Sequence, residues 1–123
     1  MRREEPGNCP VECVCQKRCS DGIVVVDCEE KSLTDVPSSM PQGLIELNLR
    51  NNEIKDILAS PYLKNVTGLK LSNNKVERLQ AFVVQKLKQV KVLLIDSNKL
   101  TSLSSEIETL NFTTLALDQN LFS

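Results

Sequence analysis

The stretch Leu44-Ile45-Glu46-Leu47-Asn48-Leu49-Arg50-Asn51-Asn52-Glu53-Ile54 decides the fold. Its frame is Leu-x-x-Leu-x-Leu-x-x-Asn-x-Leu, with apolar residues at Leu44, Leu47, Leu49 and Ile54 and the Asn at Asn52. The frame recurs as Val66, Leu69, Leu71, Asn74, Val76, then as Val90, Leu93, Ile95, Asn98, Leu100, and finally as Phe112, Leu115, Leu117, Asn120, Phe122. The copies start at 44, 66, 90 and 112, so the periods are 22, 24 and 22 residues. A fixed period of this length marks an array of units, none of which buries its own apolar face alone. Stacking against neighbours must supply the core.

The frame and its period resemble the leucine-rich repeat family. That resemblance implies an α/β solenoid with a short curved parallel β-sheet on the concave face and an irregular or 3-10 convex side. The motif half of each repeat is expected to give a strand with its apolar positions inside. The second half returns along the convex side, anchored by Ile57 and Leu63, by Leu79, Phe82 and Leu87, and by Leu103, Ile107 and Leu110. The 24-residue repeat has room for a short helix or 3-10 turn, and the 22-residue repeats should be more extended. Asn52, Asn74, Asn98 and Asn120 fall where the strand ends and the chain turns inward. A buried amide offers donors and an acceptor together, so these four side chains are expected to form a structural ladder that satisfies backbone groups.

At 123 residues the chain is one domain, and its net charge of −1 argues against a nucleic-acid or polybasic membrane partner. Aromatics make up only 3% of the residues, so the core must be aliphatic. There is no His, which removes His-based acid–base chemistry and His metal ligation, and no glycine loop suited to phosphate. No catalytic activity, cofactor or metal is expected. No apolar run is long enough to span a bilayer, and Met1–Gly7 shows no signal-peptide pattern.

All five cysteines lie between Cys9 and Cys28. Such clustering points to a disulfide-stapled element made in an oxidising compartment, so the chain reads as extracellular and as a mature fragment of a larger protein. Residues 1–8 are expected to be flexible, 9–43 to form a cysteine-rich cap with a β-hairpin that turns in 16–22, and 44–123 to hold the four repeats. Within the cap, Ile23-Val24-Val25-Val26-Asp27 reads as a strand of a degenerate repeat with Lys31 at the Asn position. Cys9-Pro10-x-x-Cys13-x-Cys15 followed by Cys28 resembles the N-terminal cap of extracellular leucine-rich repeat proteins, such as Slit-type guidance proteins, variable lymphocyte receptors and small leucine-rich proteoglycans. The resemblance implies the bonds Cys9–Cys15 and Cys13–Cys28 and leaves Cys19 unpaired. On the residues alone, Cys19 is open to three readings: a free thiol, an intermolecular bond or a swapped pairing. Zinc on Cys9, Cys13, Cys15 and Cys19 is a weaker alternative, because the spacing lacks two separated Cys-x2-Cys knuckles.

The concave face is where this architecture usually binds. By register its outward residues are Ile45, Glu46, Asn48, Arg50 and Asn51 in the first repeat. They continue with Thr67, Gly68, Lys70, Ser72 and Asn73 in the second. Lys91, Val92, Leu94, Asp96 and Ser97 follow, then Thr113, Thr114, Ala116, Asp118 and Gln119, and the cap adds Val24, Val25, Asp27, Glu29 and Glu30. Val92, Leu94 and Ala116 form an apolar centre, with Asp96 and Asp118 in one column and Arg50 of opposite sign nearby. This composition fits a face for a protein ligand or receptor. Asn65-Val66-Thr67 and Asn111-Phe112-Thr113 are glycosylation sequons at one register. The fourth repeat leaves Phe112, Leu115, Leu117 and Phe122 to water, so self-association through that end is expected. Extracellular recognition is the function these features favour. The alternatives are a targeting module of a larger extracellular enzyme or receptor kinase, and a matrix-structural role.

Overall fold

A computed structural model describes residues 7–57 and 60–122. Most of the expected flexible terminus, residues 1–6, lies outside the described residues. Six strands form one sheet in chain order: β1 (Val14–Lys17), β2 (Val24–Asp27), β3 (Ile45–Asn48), β4 (Val66–Lys70), β5 (Val92–Leu94) and β6 (Thr114–Ala116). β1 and β2 make an antiparallel hairpin, and every later pair is parallel. Parallel neighbours need a crossover segment, and the second half of each repeat provides it. The 24-residue repeat crosses through a helical turn, α1 (Ala81–Val84), whereas the two 22-residue repeats that precede another strand use 3-10 helices at Pro61–Asn65 and Ser105–Thr109.

The core lies between the sheet and these crossovers and is almost wholly aliphatic. Each strand alternates, so its inward residues form rows: Val26, Leu47, Leu69 and Leu93 in one, and Cys28, Leu49, Leu71 and Ile95 in the next, all buried. Ile54, Val76 and Leu100 close the interior below the strands. Leu63, Leu79, Leu87 and Ile107 close it from the crossovers.

Three expectations about facing need correction. Ile45 is fully buried and Leu44 is 39% exposed, the reverse of the motif frame. Val24 is likewise buried beneath β2 rather than outward. The reason is geometric. Strict alternation puts 24, 26 and 28, and 45, 47 and 49, on one side, while a Leu-x-x-Leu frame needs an extra residue. That residue first enters at β4, where the register shifts: Ile45 pairs with Val66, Glu46 pairs with Gly68, and Thr67 is the bulge. Thr67 fills the gap by donating its hydroxyl to the Ile45 carbonyl at 3.0 Å. The third correction concerns Phe82, which is 48% exposed; α1 turns Val83 and Val84 inward in its place. In the fourth repeat Leu115 and Phe122 are exposed, while Phe112 and Leu117 are half-buried.

The strands end on a left-handed residue. Asn51, Asn73, Ser97 and Gln119 have φ of 59°, 59°, 56° and 60°, and Glu30 of the hairpin segment has 54°. This single step reverses the pleat and aims the following side chain inward. In the four repeats that side chain is the motif Asn. Asn74 donates to the carbonyls of Leu49 at 2.9 Å and Leu71 at 3.0 Å, and its Oδ1 accepts from the Ile54 N–H at 3.0 Å. Asn98 repeats the pattern on Leu71 at 2.9 Å, Ile95 at 3.2 Å and the Val76 N–H at 3.0 Å. Asn120 does so on Ile95, Leu117 and the Leu100 N–H, at 2.9, 2.8 and 3.0 Å. Asn52 joins the first repeat to the hairpin segment, donating to Cys28 and Leu49 and accepting from the N–H groups of Lys31 and Leu33.

Asn98→Leu keeps the side-chain branching but strands these buried groups, and we expect a loss of about 1–3 kcal/mol in urea unfolding. Ser97 is not a residue type that favours φ of 56°. Ser97→Asn should therefore raise stability by about 0.5–1 kcal/mol, whereas Ser97→Val should lower it.

Candidate functional site

The solvent face of the sheet carries three rows of side chains. One row runs Val25, Glu46, Gly68, Val92, Thr114 across adjacent strands, and the next runs Asp27, Asn48, Lys70, Leu94, Ala116. A third row, just past the strand ends, holds Glu29, Arg50, Ser72, Asp96 and Asp118. The face thus brings together all ten residues singled out in the sequence: Glu46, Asn48, Arg50, Lys70, Ser72, Val92, Leu94, Asp96, Ala116 and Asp118. Asp118 is exposed and the others are half-buried.

The face is chemically divided. Its amino-terminal half is a network of internal polar contacts. Glu46 takes Arg18 Nη1 at 2.7 Å and Lys70 Nζ at 3.2 Å. Its side chain lies across Gly68, where a Cβ would sit 3.1 Å from Glu46 Cγ, so a glycine there lets the carboxylate lie flat over β4. Burial pushes the Glu46 carboxyl up, but the hydrogen bonds from Lys70 and Arg18 outweigh it and hold the group below its ordinary value of 4.5. Arg18 also chelates Asp21 at 2.8 Å, and that bond holds the Asp21 carboxyl below its ordinary value. Asn48 donates to Asp27 at 3.3 Å and Glu29 at 3.1 Å, and Arg50 pairs with Glu29 at 3.5 Å.

The carboxyl-terminal half is apolar at its centre. Leu94 and Ala116 are directly paired, with Val92 beside them on β5. Asp96 accepts from the Ser72 hydroxyl at 2.6 Å. Arg18 is the participant that sequence reasoning missed. Its partner Glu46 is 28 residues away, with nothing but opposite charge in the sequence to connect them.

The cysteines sit on the hairpin. Cys9 and Cys15 are bonded, as are Cys13 and Cys28, with Cα separations of 6.0 and 4.5 Å. Cys19 is exposed with a free thiol. The sulfurs of Cys9, Cys13 and Cys15 are therefore consumed, and no zinc site can form from them. Among the described residues no group of three or more His, Cys, Asp or Glu is arranged to hold a metal, and no helix is long and apolar enough to cross a membrane. Asn65 ends the 3-10 helix before β4 and is half-buried, and Asn111 is exposed before β6. The Thr of each sequon donates to the preceding repeat, Thr67 to the Ile45 carbonyl and Thr113 to the Lys91 carbonyl, both at 3.0 Å.

A recurrent Leu-x-x-Leu-x-Leu-x-x-Asn frame, a parallel-rich sheet and amino-terminal disulfides define an extracellular leucine-rich repeat protein, and the chain is one of that class. No family model matches the chain. Among curated proteins it is similar to mouse (Mus musculus) prolargin, at 31% identity over 119 residues, or 94% of this chain and 30% of the relative. Human (Homo sapiens) lumican is 37% identical over 99 residues, 76% of this chain and 28% of the relative. Mouse oligodendrocyte-myelin glycoprotein is 36% identical over 75 residues, 59% of this chain and 16% of the relative. The chain thus spans less than a third of the length of each.

The Glu46 network makes stability depend on pH. A carboxyl whose folded pKa lies below its unfolded value stabilises above that unfolded value, and the contribution is lost as pH falls through the folded pKa. Glu46→Gln should cost about 0.5–1 kcal/mol at pH 7. In denaturant titrations at successively lower pH, its difference from the parent should shrink through the carboxylate range.

Proposed function

We propose that this chain is an extracellular protein–protein recognition module. In this reading it is a leucine-rich repeat solenoid in which 9–43 cap the repeats that start at 44, 66, 90 and 112. The solvent face of the sheet is its concave binding surface for a protein ligand or receptor. One observation carries the reading: Val92, Leu94 and Ala116 lie together on β5 and β6, next to Asp96 and Asp118, on a face built from short strands fixed by their neighbours. An apolar centre with a charged border is the composition of a protein-binding patch. The reading is non-enzymatic, because the chain has no His and its sheet carboxylates are spread along rows rather than paired in a cavity. Asn65 and Asn111 are proposed to carry glycans. They precede β4 and β6, at the end of each strand opposite Asp96 and Asp118, and so leave those carboxylates open. Similarity to lumican and prolargin supports a second reading, a matrix-structural role using the same face.

A screen of the glycosylated chain against displayed cell-surface ectodomains tests the first reading. We expect Leu94→Arg to abolish binding of any partner so found while shifting stability by less than about 1 kcal/mol, since the side chain faces solvent. A partner held equally by Leu94→Arg would move the site off this face.

A further inference from the structure

We propose that the β5–β6 end of the sheet face takes a segment of a protein partner that carries a basic side chain next to an aliphatic one. This inference rests on the recognition reading above and adds the chemistry of the partner. Its starting point is an imbalance of charge. The cations of the amino-terminal half are already spent inside the protein: Arg18 on Asp21 and Glu46, Lys70 on Glu46, and Arg50 on Glu29. Asp96 and Asp118 have no such partner. Among the described residues neither makes an ion pair, and Asp96 has only the Ser72 hydroxyl.

The two Asp residues also stand at neighbouring positions. The Ser97 N–H bonds the Asp118 carbonyl at 2.9 Å, as the Asn73 N–H bonds the Asp96 carbonyl at 3.1 Å, so both Asp residues occupy the same position of successive repeats. Neighbouring strands lie about 4.8 Å apart at the backbone, and like charges at directly opposite positions repel. A cation placed over the pair removes the repulsion and gains two attractions.

The apolar part follows from the two-residue period of a strand. Leu94 and Ala116 precede Asp96 and Asp118 by two residues each, on the same face and directly paired. Two residues of strand span about 7 Å, close to the spacing of alternate side chains on an extended segment. A partner that sets Lys or Arg on the carboxylates therefore places an aliphatic side chain over Leu94 and Ala116. An acidic or phosphorylated segment meets repulsion instead: of the nearby lysines, Lys70 beside Leu94 is already paired with Glu46, and Lys91 lies at the opposite end of β5.

The test uses the whole chain and three short labelled peptides, built from repeated Lys-Leu-Ser, Glu-Leu-Ser or Lys-Ser-Ser. Binding is followed by fluorescence anisotropy and the site by amide chemical-shift mapping. The expected result is that Lys-Leu-Ser binds best, with shifts concentrated in 92–96 and 114–118. The double variant Asp96→Asn, Asp118→Asn should weaken it about tenfold, and added salt should weaken it as well. Neutralising the remote exposed carboxylates, Glu77→Gln with Glu108→Gln, should change nothing. If the peptide maps to these strands but the double variant binds like the parent, or Glu-Leu-Ser binds equally well, the proposed chemistry is overturned while the binding face stands. Shifts confined to residues off the sheet, or no binding by any peptide, overturn the proposal. In that case the fate of the face itself is decided by Leu94→Arg in the ectodomain screen.

Discussion

The hydrogen bonds of the motif asparagines are the constraint on which the rest of the molecule depends. At each strand end the chain turns into an apolar interior, where water cannot satisfy its polar groups and each unmet bond costs free energy. One side chain resolves the turn and also ties it to the next. The Leu49 carbonyl receives Asn52 and Asn74, the Leu71 carbonyl receives Asn74 and Asn98, and the Ile95 carbonyl receives Asn98 and Asn120. Each of these carbonyls is thus shared between its own repeat and the following one. The aliphatic rows supply most of the cohesion, but they are not directional. The asparagines set the register in which the rows stack.

That register has a functional consequence. With the inward residues of every strand fixed, the outward ones are fixed too, in rows that cross the sheet. Side chains far apart in sequence then become neighbours. Arg18, Glu46 and Lys70 form one charged chain over three elements, and Leu94 meets Ala116. Because the outward positions, apart from Gly68 beneath Glu46, lie outside the aliphatic core, they can vary without disturbing it. The charged half and the apolar half of one face therefore coexist on a single scaffold.

Much of this was legible in the sequence, and the parts that were not have physical causes. The apolar frame and its Asn are periodic, so the strands, their order and the core rows follow from spacing. Facing was ambiguous where adjacent residues are both apolar. Leu44 and Ile45 fit the frame equally well, and only the bulge at Thr67 decides between them. Phe82, Val83 and Val84 pose the same problem in α1. The left-handed step was half visible: Asn51 and Asn73 are residue types that tolerate it, whereas Ser97 and Gln119 adopt it because the surrounding frame requires it. The Arg18–Glu46 contact had no signal in spacing, since it depends on how a hairpin tip folds over the sheet.

Native-state hydrogen exchange measures the coupling between repeats directly, because the amides that donate to the asparagine oxygens report on it one by one. The Ile54 and Val76 N–H groups bond to Asn74 and Asn98 of the following repeat, at 3.0 Å each. If the ladder binds the repeats into one cooperative unit, both should exchange only by global unfolding, with the same free energy as amides bonded between neighbouring strands, such as Leu71 just past β4. Exchange of Ile54 and Val76 at the rate of open turns, with the strand amides still protected, would contradict the account.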